Sequence, residues 1–223
     1  MAQPRSLPEL IRFVRAHTRA APAPLVPELA LHQGSELTPL WQAAAAELAP
    51  WEPAPFWAFP WAGGQAVARY VLDHPEIVRG RSVFDFATGS GLVAIAAARA
   101  GAARVVACDV DPFCEAAVQL NAELNGVTVE FRAGTALGDP LLGFEVVLAG
   151  DVFYERRLAE ESLAWLGGLA ARGMLALAGD PGRVYSPARG LAERASYDVP
   201  TSPEIEQVSE LHTSVLEVLP IAR

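Results

Sequence analysis

Val83-Phe84-Asp85-Phe86-Ala87-Thr88-Gly89-Ser90-Gly91-Leu92 decides the fold. A short apolar run ends in a glycine-rich turn that opens an Ala-rich helical segment. The order is therefore strand, turn, helix. Glycines in such a turn let the backbone approach a ligand closely, and the helix start offers free N–H groups. In a dinucleotide-binding protein those groups hold a pyrophosphate. Here Asp85 stands at the strand end, where it repels phosphate but can receive the ammonium of a ligand containing an amino acid.

Working outward, the next strand ends in Asp109, roughly two dozen residues on, the usual place for a carboxylate that takes ribose hydroxyls. A nucleoside without a phosphate cradle, beside a carboxylate near the turn, suits S-adenosylmethionine better than a nicotinamide dinucleotide. An oxidoreductase is the competing reading, and Gly89 and Gly91 serving only tight helix packing is the plainer one. Asp111 reads as the N-cap of the next helix. The Gly134-Thr135 loop is where an adenine contact would fall.

The flanking sequence repeats the alternation. Strands are expected at 82–86, 104–108, 128–132, 145–149 and 174–178, with helices at 92–100, from Asp111-Pro112 to Leu124, and along the face Leu158, Ser162, Trp165 and Leu169. Beyond the fifth strand we expect a helix around 187–194, then strands at 197–199 and 213–219 forming a hairpin. The reading is a single α/β domain, 1–223. Its core, 81–223, is a doubly wound, Rossmann-like, mostly parallel sheet with a C-terminal antiparallel hairpin. Residues 1–80 form an N-terminal helical and irregular appendage packed on the sheet. There Ser6 and Glu9 form a capping box for a helix burying Leu10, Phe13 and Val14. A Pro-rich connection, 20–27, follows, with a short strand around 29–32. A helix from Thr38-Pro39 then runs through Trp41 and Leu48, and another spans 65–73. The basic, amphipathic 5–19 segment also resembles a transit peptide.

Composition narrows the function. The chain has 223 residues and is 52% hydrophobic, enough for a substantial core. No apolar run reaches the roughly 18 residues that cross a bilayer, and the start lacks a signal-peptide core, so a cytoplasmic protein with no membrane partner is expected. Seventeen basic against 26 acidic residues give a net charge of −9. That charge disfavours nucleic acid and suits a basic target. Cys108 and Cys114 read as buried thiols rather than a bridge. No metal-ligand pattern is present.

A second site lies at the end of the fourth strand, in Gly150-Asp151-Val152-Phe153-Tyr154-Glu155, where a carboxylate and a phenol reach the carboxyl edge of the sheet. Taken alone, Asp151 also fits an N-cap and Tyr154 a core position. Asp151-Val152-Phe153-Tyr154 resembles the Asp-x-x-Tyr signature of seven-strand protein-lysine methyltransferases. The aromatic stretch Phe56-Trp57-Ala58-Phe59-Pro60-Trp61-Ala62-Gly63-Gly64-Gln65-Ala66 extends the likeness. So do Ala107-Cys108-Asp109-Val110-Asp111-Pro112 and Gly179-Asp180-Pro181-Gly182-Arg183. Together they are similar to the bacterial lysine methyltransferases that act on the electron-transfer flavoprotein β-subunit.

The resemblance implies S-adenosylmethionine as cofactor and that β-subunit as partner. Asp85, Ala87, Gly89, Gly91, Asp109 and Trp61 would bind cofactor, with Trp57 and Trp61 walling the methyl-transfer channel. Asp151 and Tyr154 would place the lysine as catalytic residues, Trp57 beside them. For each ring, ordinary core packing is the alternative, and 179–183 also reads as a tight turn. One position departs from the pattern: the first glycine of the turn is Ala87, which is strained if the site requires positive φ. A small-molecule N-methyltransferase with the same cofactor site is the alternative enzyme, and a non-catalytic cofactor-binding protein the alternative class.

Overall fold

The computed structural model describes residues 6–47 and 54–221. A seven-stranded sheet runs in the order β5-β4-β3-β6-β7-β9-β8. Its members are β3 (Ser82–Phe86), β4 (Arg104–Asp109), β5 (Glu130–Ala133), β6 (Val146–Gly150), β7 (Leu175–Asp180), β8 (Leu191–Pro200) and β9 (Glu210–Val218). The first five are parallel, and β9 turns antiparallel to β7 and pairs with β8 as the expected hairpin. The chain winds outward from β3 through β4 to β5 and then returns to β6 on the other side. The crevice between the carboxyl ends of β3 and β6 is therefore the switch point at which such sheets bind ligands.

Side-chain alternation feeds two cores. Val83, Val105, Val146, Leu148 and Leu177 pack under α4 (Leu92–Arg99) and α3 (Ala62–Asp73). Phe84, Phe86, Val147, Ala149 and Ala178 pack on the opposite face with Trp165, Leu166 and Leu169 of α6 (Arg156–Ala170). The helix α5 (Pro112–Asn125) starts on Asp111, whose carboxylate accepts the Phe113 N–H at 2.9 Å, the cap expected from sequence. Cys108 and Cys114 are buried free thiols on β4 and α5.

Two expectations fail. The Pro-rich stretch is not a bare connection: β1 (Arg19–Ala23) and β2 (Val26–Gln33) form an antiparallel hairpin through it. Pro22 is tolerated because this small sheet has only two strands, both of them edges. The helix expected at 187–194 is also absent, and its C-terminal half is the start of β8, which pairs Leu191 with Val218. Helix-forming Ala and Arg lose there to a long cross-strand ladder.

The N-terminal portion packs on the sheet through α3, as expected, and on the helices α4 and α5. The helix α1 (Leu7–His17) is capped by Ser6, whose N–H donates to the Glu9 carboxylate at 2.9 Å, and it buries Phe13 against Phe113 of α5. Asn121 and Asn125 of α5 act as an edge partner for β2. The Asn121 carbonyl accepts the His32 N–H at 2.7 Å, and the Asn125 amide exchanges two hydrogen bonds with the Ala30 backbone. The expected helix beginning at Thr38 is α2 (Leu37–Glu47). Its predicted end at Leu48, like Trp51, lies outside the described residues. Within this portion α3 lies directly against the sheet, and it aims its N-terminus at the ends of β6 and β7.

Candidate active site

A cavity of about 710 Å³ opens at the carboxyl edge of the sheet. At one end, Asp109 closes β4. Its carboxylate accepts the Gly89 N–H at 2.9 Å and the Asp111 N–H at 3.0 Å, one on each oxygen. A carboxylate offers about four acceptor positions, so capacity remains for a hydroxyl beside these two donors and the nearby Cys114 thiol. Cys108, Cys114, Gly134, Thr135 and Leu137 add a mostly apolar wall beside it.

Asp85 lies beneath the turn and is 1% exposed. Its Oδ2 accepts the Thr88 hydroxyl and, at 3.0 Å, the Ala94 N–H of the first turn of α4, while its Oδ1 is buried without a partner. Burial, reinforced by the Asp109 charge, pushes this carboxyl up to about 7 against the pull of those two donors. Asp85 borders a small recess that shares Trp61, Ala87, Gly89 and Gly150 with the large cavity. An ammonium in that recess would lie beside the Asp85 carboxyl.

The turn is built on left-handed residues. Gly91, at φ +83°, could not carry a side chain, since a Cβ there would meet Val118 Cγ2 at 2.9 Å. Ala87 sits at φ +53°, so the substitution for glycine does place an alanine in the strained region. That costs roughly 1–2 kcal/mol.

Phe56, Trp61 and Tyr154 also line the cavity, Phe56 and Tyr154 being partly exposed at its mouth. Phe56 packs edge-on against Trp61 at 5.4 Å and Tyr154 at 6.0 Å, and the Trp61 indole N–H donates to the Phe56 carbonyl at 2.9 Å. Tyr154 is half exposed, so it is not a core residue. Burial, with Asp109, Glu155 and Asp151 nearby, raises its phenol above the ordinary value and keeps it a neutral hydrogen-bonding group. Trp57 touches the cavity but is 1% exposed and stacks on Phe113 at 5.1 Å, which makes most of it core.

Asp151 also lines the cavity, in a left-handed conformation at φ +55° held by its N–H donating to the Gly179 carbonyl. It does not cap α6, because Glu155 does, accepting the Arg157 and Leu158 N–H groups at 2.9 Å each. Instead Oδ2 accepts the N–H groups of Gly63 and Gly64 at the start of α3, and Oδ1 pairs with Arg183 at 2.6 Å. Glycines make this approach possible: a Cβ on Gly150 would meet Gly64 Cα at 2.7 Å, and one on Gly63 would meet Asp151 Oδ2 at 2.6 Å. Burial pushes the Asp151 carboxyl up to about 6 although Arg183 pulls it down. Sequence reading missed Arg183 as a site residue, although it ends the quoted Gly-Asp-Pro-Gly-Arg turn. It also missed Glu206, whose segment carries no motif.

Known proteins are similar to this chain over most of its length. The electron transfer flavoprotein beta subunit lysine methyltransferase of Xenopus laevis is 39% identical over 173 residues, covering 77% of this chain and 70% of that one. The chain belongs to this methyltransferase family. The human member is 37% identical over 161 residues, 71% of this chain and 61% of its own length. The chain thus spans less than two thirds of the human relative. A family model described as ribosomal protein L11 methyltransferase matches residues 70–150, the part from α3 to β6 that carries the glycine-rich turn and Asp109. A crystal structure of a Thermoplasma acidophilum protein shares the fold, with a TM-score of 0.52 at 18% identity over 71% of this chain and 91% of that one. Among the described residues of this family member, no helix is long and apolar enough to cross a membrane.

Proposed function

We propose that the protein is a single-domain enzyme that transfers methyl groups from S-adenosylmethionine to lysine side chains of the electron transfer flavoprotein β-subunit. The observation that carries this reading is the cavity at the carboxyl edge of the sheet, lined by the Asp109 carboxylate and by the aromatic rings of Phe56, Trp61 and Tyr154, with an adjoining recess bordered by Asp85. Asp109 takes the ribose hydroxyls and Asp85 the amino-acid ammonium. Ala87, Gly89 and Gly91 shape the turn around the cofactor, and Trp61 covers it. Asp151 and Tyr154 face the acceptor, with the edge of Trp57 behind them.

When bound, the cofactor supplies a methyl group already activated by its positive sulfur. A lysine nitrogen held at the mouth would take that methyl group with its own lone pair, the carbon–sulfur electron pair being left on sulfur. The chain's main task is then alignment. Its second task is the proton: a free lysine of pKa about 10.4 needs roughly 4–5 kcal/mol to present its neutral form at pH 7. Aromatic desolvation at the mouth lowers that cost, the Tyr154 phenol orients the nitrogen, and water takes the proton.

A half-exposed mouth admits a side chain carried on a folded surface, which favours a protein acceptor over a small amine. The net charge of −9 supports a basic protein target in the cytoplasm rather than a nucleic acid. The test is release of S-adenosylhomocysteine with three acceptors: the flavoprotein β-subunit, free lysine and simple small amines. Turnover only with the β-subunit is expected. Faster turnover with the small amines would overturn the protein-substrate reading.

A further inference from the structure

Both oxygens of Asp151 are committed, yet it stands beside the acceptor end of the cavity. Its partner Arg183 lines the same cavity, its guanidinium 5.9 Å from the centre of the Trp61 ring. The other edge of that guanidinium donates to both oxygens of Glu206, at 2.8 and 2.9 Å, and the Glu206 side chain is 6% exposed. Glu206 sits in α7 (Pro203–Glu206), the short helix between β8 and β9. Two carboxylates from distant segments thus clamp one guanidinium at the mouth.

An uncompensated carboxylate there would hold an incoming lysine as ammonium, whereas transfer needs its lone pair. We propose that Arg183, held in place by Glu206, is an electrostatic positioning residue that cancels the Asp151 charge beside the acceptor channel, so that the lysine nitrogen arrives unprotonated. This rests on the lysine reading above. The two carboxylates raise Arg183 above its ordinary value, so it stays charged throughout. Among the described residues, other charged groups around the cavity include Asp109 and Glu155, which act on Tyr154, Asp111, which lines it, and Asp180, which accepts the Gly182 and Arg183 N–H groups. At the start of α3, Asp151 meets only backbone N–H groups.

The sign of the effect separates this role from a structural one. Removing the guanidinium lets the Asp151 carboxyl rise further, and above that value it leaves two uncompensated carboxylates, which raises the lysine's effective pKa and moves the acid limb of the rate profile to higher pH. Neutralising Glu206 leaves a balanced pair and moves the limb to lower pH. The experiment is single-turnover methyl transfer to the purified flavoprotein β-subunit against pH, at saturating S-adenosylmethionine. Cofactor affinity is checked by calorimetry. Arg183→Gln is expected to shift the limb up by about half to one unit, and Glu206→Gln to shift it down by about half a unit. Arg183→Lys should keep the wild-type limb at a lower rate. Shifts in the same direction, or none, in variants that still bind cofactor would overturn the proposal. If Arg183→Gln fails to bind cofactor, the offset between Glu206→Gln and Arg183→Lys decides. Absence of transfer by the wild type would instead overturn the lysine reading itself.

Discussion

The carboxylates and glycines of the proposed cofactor end come from one continuous stretch, Asp85 through Asp109, in which β3, its turn, α4 and β4 place their own groups by local geometry. The acceptor end gathers Phe56 and Trp61, Asp151 and Tyr154, Arg183 and Glu206 from four parts of the chain, joined by a buried ion pair and by glycines that let backbones meet. The first kind of site tolerates change elsewhere in the chain. The second depends on packing between segments, so substitutions that keep the cofactor end intact can still disable it.

The largest expected effect removes the cofactor end outright. Asp109→Ala deletes two backbone hydrogen bonds and the proposed ribose contact. Calorimetry should show S-adenosylmethionine affinity falling at least about 100-fold. A loss below fivefold would place the nucleoside elsewhere. Gly63→Ala should do the reverse, since its Cβ collides with Asp151 and with the Gly179 carbonyl. Overpacking of this kind costs about 1–3 kcal/mol. Methyl transfer should collapse while cofactor affinity stays within about threefold. Equal loss of both would mean that the two ends are one cooperative unit.

Asp85→Asn sharpens the picture of the turn. In the folded chain this carboxyl sits at about 7, above its ordinary 3.8. The native state is therefore penalised as pH rises from about 4 through 7, and the penalty is complete above that window. The variant should melt several degrees higher than the parent at pH 8 without ligand and lose the advantage near pH 4. It should also bind cofactor more weakly. An unchanged melting temperature at pH 8 would show that Asp85 is not held against its charge. The smallest effect belongs to Ala87→Gly, which relieves the left-handed strain but adds chain entropy, for a net gain within about 1 kcal/mol by denaturant titration. A loss of stability would mean that the alanine methyl contributes packing that outweighs its strain.

The same contrast governs what could be read from the sequence. The strands from 82 to 178 announced themselves because each is a short apolar run closed by a turn residue, and Asp85, Gly89, Gly91 and Asp109 fall at fixed offsets from those strand ends. Asp151 and Tyr154 were visible for the same reason. What Asp151 touches was not, because the partners of its oxygens lie 88 residues upstream at Gly63 and 32 downstream at Arg183. The 187–194 segment was misread because its Ala, Leu and Arg residues favour a helix in isolation, while pairing with β9 is a tertiary decision. Glu206 left no trace, since one acidic residue in a polar connection looks like any other.

The most direct test of the account is intact-mass spectrometry of recombinant electron transfer flavoprotein incubated with this protein and S-adenosylmethionine, beside an Asp109→Ala control. Additions of about 14 Da, one methylene gained per methyl transferred, are expected on the β-subunit with the active protein and none with the control, retained on lysine-bearing peptides after digestion. An unmodified β-subunit under conditions where calorimetry shows the cofactor bound would contradict it.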